Sequence, residues 1–356
     1  MATTTGVVRQ VSWSGSTVCF LIGPSRESVE IFFIKFESTD SDWVRGFKKS
    51  MANMLTEAQD AGFLVTVGHP STSGMVTSTA MGAHGIRKNV ATIPQAERNR
   101  LRDAILELDN RNYPDGVSKW KKQDDIHQVT HVHNGASFVT WHRELCNRLE
   151  ALLREVDPTL SLHYWDWTTD PRNSPDGKGG MVNLFSTNFM GSATGNAGPP
   201  MNALFPPTIT RNVNNGNPGP PSISSDAAII ATGAGSPIDD QWRLFRIALE
   251  GNHNTVHTYI GGNIGAQHSA FEDPFVYLLH SNLDRIWAMW QRVPGREWRL
   301  DPNQVYGSED TDSRITETLE PWDGGSGLRP WAPPDNQQVV KNSKHASVVT
   351  PPWYDT

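Results

Sequence analysis

Histidine is spread unevenly along this chain. Of the 12 present, His127, His131, His133 and His142 fall within 16 residues, and His253, His257, His268 and His280 within 28. A lone imidazole is as a rule a satisfied core or surface group, whereas two dense clusters beside helical patterns point to metal. In Gly251-Asn252-His253-Asn254-Thr255-Val256-His257 the two imidazoles are four apart and share one helix face. His280 sits on a helix that opens at Asp273-Pro274, with proline at a tolerated first-turn position. Three imidazoles from two crossing helices can surround one ion. In the first cluster His142 opens a helix over 141–156, with Leu145, Leu149, Leu152 and Leu153 on one face. His133 lies earlier in a glycine-containing loop, and the remaining ligand is His127 or His131.

The donor set narrows the metal. Imidazoles without thiolate or carboxylate suit zinc, copper, iron or nickel. A zinc hydrolase of the H-E-x-x-H kind needs Glu directly after the first His, and Asn254 stands there. Ferritin-like di-iron sites need paired Glu-x-x-His motifs, and none stands out. Two three-histidine sites, one per cluster, fit two copper ions that bind dioxygen between them.

Around the clusters the chain divides in two. β-branched and aromatic runs at 7–13, 17–22 and 28–36 are separated by Ser14-Gly15-Ser16 and Gly23-Pro24-Ser25. A helical period follows through Trp43, Phe47, Met51, Met54, Leu55 and Ala58, capped by Asp42 and stopped at Gly62, and then strand-like runs at 63–67 and 75–80. This reads as a small β-rich N-terminal domain over 1–82, arranged either as an OB-like barrel or as a simple packed sheet. Residues 83–356 read as the copper domain. Helices are expected at 95–110 (Leu101, Ala104, Ile105 and Leu108 on one face), 141–156, 238–250 and 273–292. The stretch 170–235 is crowded with Gly, Pro, Asn and Ser, and loops of this length are usually functional or mobile. After residue 297 a Pro-rich tail reads as an extended segment laid over the core. The expected fold class is mainly α: a helical core holding a dicopper centre, with long irregular loops and a small β-rich domain in front.

Composition removes other classes. Lys and Arg number 31 against 38 Asp and Glu, a net charge of −7, which argues against nucleic acid or an anionic membrane surface as partner. No run approaches the roughly 20 apolar residues of a membrane span. No basic stretch followed by an apolar run succeeds Met1, and Cys19 and Cys146 are too few for a disulfide framework, so a cytoplasmic location is expected.

The residues beside the histidines resemble a known family. Phe138-Val-Thr-Trp141-His142-Arg143 resembles the F-x-x-W-H-R block of the tyrosinase and haemocyanin family of type 3 copper proteins, and His163-Tyr-Trp-Asp-Trp167 resembles the segment that follows it. Phe245 to Glu250, with His253, Asn254, His257, Gly261 and Gly262, is similar to the start of the family's second copper site; Asp273-Pro274 through His280, Asp284 and Trp287 is similar to its close. The likeness runs from about residue 90 to 335, so residues 1–80 lie outside it.

The resemblance implies a copper pair held by six histidines, with O2 oxidising small phenols and catechols to o-quinones. It implies His133, His142, His253, His257 and His280 as ligands. Many members have a Cys two residues before the second His of the first site, joined to an imidazole; His131 occupies that position here, so no thioether is expected and His127 is favoured as the sixth ligand. The closing motif usually carries adjacent histidines, and Leu279 replaces the first of them. Glu250 and Asn254 resemble a pair that holds a water able to take a phenol proton, which implies monophenol hydroxylation weaker than catechol oxidation. Asp284 would orient a ligand imidazole or, alternatively, pair with an arginine. His268 would line the entrance or lie on the surface, and His163 would be core or stand behind the ligands. The alternative from a different class is a haemocyanin-like oxygen-binding protein, its site shielded by an added domain. A homo-oligomer or a copper-delivery partner stays open.

Overall fold

The computed structural model describes residues 2–23, 30–40, 64–69, 78–80, 86–128, 132–157, 159–205, 208–317, 319 and 342–356, together with Val44, Arg45, Lys48, Lys49, Met51, Ala52 and Leu55. Strands β1 (Ala2–Ser14), β2 (Thr17–Gly23), β3 (Glu30–Lys35), β4 (Leu64–His69) and β5 (Ser78–Ala80) form one sheet in the order β3-β2-β1-β4-β5. All neighbours in it are antiparallel. The β1–β2 hairpin turns at Gly15 with φ 57°, a conformation that a Cβ disfavours.

Alternation buries Val18, Phe20 and Ile22 on β2 and Phe32 and Ile34 on β3. Helical residues Met51, Ala52 and Leu55 cover this face and make a core distinct from that of the rest of the chain. The other positions of the expected helix, including Trp43, Phe47, Met54 and Ala58, lie outside the described residues. A closed barrel would pair β3 with β5. Among the described residues those two edges do not pair, and a helix covers one face of the sheet.

The rest is helical, as expected. Helices α1 (Gln95–Asn110), α2 (Lys119–Gln128), α3 (Phe138–Val156), α4 (Ile238–Ile260) and α5 (Phe275–Gln291) share one apolar core. Helix α5 is buried at every position except Met289, the signature of a helix enclosed by others. Helix α1 buries Leu101, Ala104, Ile105 and Leu108, the expected face.

Two boundaries and one whole helix differ from expectation. Helix α4 does not stop at 250 but continues through His253 and His257 to Gly261, whose φ of 67° ends it. Helix α3 begins at Phe138, so His142 lies in its second turn rather than opening it. Helix α2 was not expected at all, because its ten residues Lys-Trp-Lys-Lys-Gln-Asp-Asp-Ile-His-Gln carry only two large apolar side chains.

The long stretch between α3 and α4 is packed. Leu184, Phe185, Phe189, Met190 and Met201 are buried against the helices. Within it Arg211 grips Asp273 by two parallel bonds of 2.6 Å in the core, fixing the stretch to the entrance of α5. The tail returns so that Trp353–Tyr354 pairs in parallel with Ile86–Arg87. Trp353 also packs against the core of the sheet, while Arg45 and Lys49 line a cleft with Glu297, Trp298 and Asp301. Among the described residues no helix is long and apolar enough to cross a membrane.

Candidate metal centre

Four helices and one loop bring six imidazoles together. His127 comes from the last turn of α2, His133 from the loop before α3, His142 from α3, His253 and His257 from α4, and His280 from α5. The ligand-capable atoms of His127, His133 and His142 lie within 4.8 Å of one another, and so do those of His142, His253 and His280. His142 therefore belongs to both groups, its ring stacked on that of His280 with centroids 4.6 Å apart. His257 stands beside the second group rather than inside it, its ring 4.3 Å from that of His253 and 5.2 Å from that of His280. His131, the other candidate of the first cluster, lies outside the described residues.

The helices set the tautomers. The Nδ1 of His142 bonds the carbonyl of Phe138 at 2.8 Å, and that of His280 bonds Val276 at 2.8 Å, each one turn back along its own helix. His257 Nδ1 bonds the Ile264 carbonyl at 2.7 Å. A carbonyl accepts, so each Nδ1 carries the proton and each Nε2 keeps its lone pair. At His253 the partner is the Asn254 amide oxygen, 2.9 Å from Nδ1. His133 Nδ1 lies 2.9 Å from the side-chain amide nitrogen of Gln267.

These lone pairs fit a cation. His142 Nε2, His257 Nε2 and His127 Nδ1 are buried with no hydrogen-bond partner among the described residues. Such orphans are costly unless something else satisfies them. His253 Nε2 and His280 Nε2 face each other at 2.9 Å. Two lone pairs at that distance repel unless a proton or a metal ion lies between them.

Protonation is disfavoured at five of the six. Burial, reinforced by the neighbouring imidazoles, lowers His127 to about 3 and holds His142, His253 and His280 well below the usual histidine range. Burial likewise lowers His257, to about 4. Neutral imidazoles packed this densely form a donor set for soft-to-borderline ions. Phe138 and Phe271 close the cluster from the sides, Phe271 lying 4.2 Å from the ring of His127 and Phe138 4.9 Å from that of His253. His133 is half-buried, which leaves the cluster open on its side.

Glu250 lies mid-helix and buried, not at a solvated helix end. Its Oε1 accepts the backbone N–H of Asn134 at 2.6 Å, and burial raises its carboxyl above the usual range. Asn254 is exposed and engaged with His253. Among the described residues Asp284 makes no contact with an imidazole. It is fully buried between Arg143, Arg87 at 2.9 Å and the Tyr354 hydroxyl at 2.8 Å, the ion-pair alternative. His163 is buried, and His268 is exposed.

Sequence reasoning missed Asn134, Gln267 and Phe271. Asn134-Gly135 is a turn signal, and Asn134 adopts φ 60°, which asparagine tolerates better than most residues. Gln267 and Phe271 carried no comparable signal.

A family model described as the common central domain of tyrosinase matches residues 115–293. The chain is 28% identical over 273 residues to a tyrosinase-like protein of Caenorhabditis elegans, covering 72% of this chain and 37% of that one. It is also 28% identical over 269 residues to a tyrosinase of Streptomyces lincolnensis, covering 68% of this chain and 93% of the relative. Among solved structures, a functional unit of octopus hemocyanin superposes with a TM-score of 0.53 at 21% identity, covering 76% of this chain and 68% of that one, which shows a shared fold. The chain thus spans little more than a third of the nematode relative and nearly all of the Streptomyces one.

Proposed function

Because this chain belongs to the tyrosinase family of type 3 copper proteins, we propose that it oxidises phenols and catechols to o-quinones with dioxygen. The proposed ligands are His127, His133 and His142 for one copper ion and His253, His257 and His280 for the other. The observation that carries this reading is the convergence of six imidazoles, three of which, His127, His142 and His257, present buried nitrogens with no hydrogen-bond partner among the described residues.

Bound copper would supply dioxygen activation and electron transfer. Two catechols give up four electrons and four protons, and one O2 takes them to become two waters. The chain's own groups prepare that exchange. The carbonyls of Phe138, Val276 and Ile264 hold each ring with Nε2 inward. Phe138 and Phe271 keep bulk water from the sides of the cluster. A monophenol must first lose its proton. Glu250 is the candidate acceptor through a water, since its Oε2 has no protein partner among the described residues. Asn254, proposed with it, serves the same step by holding His253.

An oxygen-binding role would need the open side covered. Among the described residues, Arg45 and Lys49 of the helix on the sheet line a cleft with Glu297, Trp298 and Asp301, and Trp353 packs on the core of the sheet, beyond the C-terminal end of α5. Gln291 at that end is eleven residues from His280, about 16 Å of helix. The half-buried His133 supports access for a substrate ring.

The test is copper content with turnover. Two copper ions per chain, and one O2 consumed for every two molecules of 4-methylcatechol converted to quinone, is the expected result. Two coppers with reversible oxygen binding and no quinone would replace the enzyme by an oxygen carrier; one copper would overturn the paired site.

A further inference from the structure

We infer that the guanidinium of Arg314 is an anion-recognition point at the mouth of the imidazole cluster, selecting phenols and catechols whose ring bears an acidic substituent. This rests on the oxidase reading for the ring it would serve. Arg314 sits in the short helix Ser313–Thr316, whose base is fixed: Asp312 accepts the Arg314 N–H at 2.8 Å, and Ile315 is buried beside it. From there the side chain lies across Gly135. A Cβ on that residue would run into the guanidinium, with Arg314 Cδ only 2.8 Å from its position. Gly135 follows His133 by two residues, at most about 7.6 Å between Cα atoms. The guanidinium thus lies against the loop that carries the half-buried His133.

Its charge is uncommitted. Among the described residues the Arg314 side chain makes no hydrogen bond or ion pair, whereas Arg246 is held by Glu309. Glu250 is near enough for Arg314 to lower its carboxyl somewhat, but Glu250 is buried and its Oε1 is taken by Asn134. The exposed groups Asn254, Gln267 and His268 near the cluster include no carboxylate. In a chain of net charge −7, an unpaired cation at this place favours anions where the surface as a whole repels them. The guanidinium already rests on glycine backbone, so little further freedom is lost when it receives a carboxylate fork.

The copper-loaded protein tests this with paired substrates, 3-(3,4-dihydroxyphenyl)propanoate and 4-methylcatechol. Arg314→Gln should raise KM for the carboxylate about fivefold relative to the neutral catechol, as expected of a partly exposed ion pair, with kcat within about twofold. Arg314→Lys should restore part of the difference, and 0.5 M NaCl should erase it in the unmutated protein. Equal shifts for both substrates, or none, would overturn the assignment. Should the copper-loaded protein oxidise neither catechol, the oxidase reading fails separately. Calorimetric binding of 3-phenylpropanoate, which needs no turnover, then decides: weaker binding to Arg314→Gln upholds the anion site, and unchanged binding removes it.

Discussion

Glu250 Oε1 accepts the backbone N–H of Asn134 at 2.6 Å, joining α4 to the loop that carries His133. Asn134 holds φ 60°, so the N–H it presents depends on a turn with few alternatives. One carboxylate on the helix of His253 and His257 thereby sets where an imidazole of the other group stands. The same residue is also the proposed proton acceptor, and the two roles separate by substitution.

Glu250→Gln keeps an oxygen for the Asn134 N–H but removes the charge. Copper should stay near two per chain and catechol oxidation within about threefold, while monophenol hydroxylation falls at least about tenfold. Glu250→Ala instead leaves a partly buried N–H unsatisfied, at about 1–3 kcal/mol, and should also lower copper in the first group. Burial raises this carboxyl above 4.5, opposed by Arg246 and Arg314. The monophenol rate should therefore rise with pH along an acid limb above that value, and Glu250→Gln should abolish the limb. Equal losses on both substrates would make Glu250 a purely structural residue.

His142 contributes to both imidazole groups. His142→Ala and His127→Ala should each leave about one copper ion per chain, the one held by His253, His257 and His280. Either should cut catechol and monophenol oxidation more than about 100-fold, beyond the effect of losing an outer partner. His131→Ala should cost far less than His127→Ala. Copper analysis of the purified variants checks all three, and the reverse order for His127 and His131 would exchange their roles.

What the sequence discloses follows from range. The spacing of His253 and His257 is a helical turn, and the stripe Leu101, Ala104, Ile105, Leu108 is local periodicity; both are legible because neighbours in the chain decide them. Helix α2 escaped because it buries polar groups, Gln123, Asp124 and His127, beside only Trp120 and Ile126. Periodicity read from apolar residues is blind to that face. Arg87 and Asp284 are 197 residues apart, and Glu250 and Asn134 are 116 apart. Only tertiary packing joins such pairs.

That packing gives Asp284 a structural rather than a ligand-orienting task. It receives Arg87, Arg143 and the Tyr354 hydroxyl in a fully buried network that ties the tail to α3 and α5. Asp284→Asn should cost about 3–5 kcal/mol by leaving the buried Arg143 guanidinium without its counter-charge, whereas Arg87 keeps Glu150. Tyr354→Phe should cost about 1–2 kcal/mol. Denaturant midpoints report both, and copper content of the folded Asp284→Asn protein should stay near two, since His280 Nδ1 bonds Val276 instead. Loss of copper without loss of stability would restore the ligand-orienting role.

The last prediction concerns acid. His163 Nδ1 accepts the Lys88 N–H at 3.2 Å, so its ring proton is on Nε2, which faces Glu97 Oε1 at 3.1 Å, though off the ideal hydrogen-bond line. This contact, with Lys88 Nζ at 3.3 Å, lowers the Glu97 carboxyl from 4.5 to about 2 against a partial burial that opposes it. A carboxyl whose pKa is lower in the folded state stabilises above its unfolded pKa, and that contribution disappears as pH falls through the folded one. The window is therefore pH 4.5 to about 2. Asp157, Asp170 and Asp301 are also lowered and titrate in the same direction, so stability declines there even without Glu97. Glu97→Gln cannot titrate; its thermal midpoint should start below that of the unmutated protein near neutrality, and the two curves should converge across the window. Curves that stay parallel from pH 5 to pH 2 would show that the His163–Glu97 contact contributes nothing in solution.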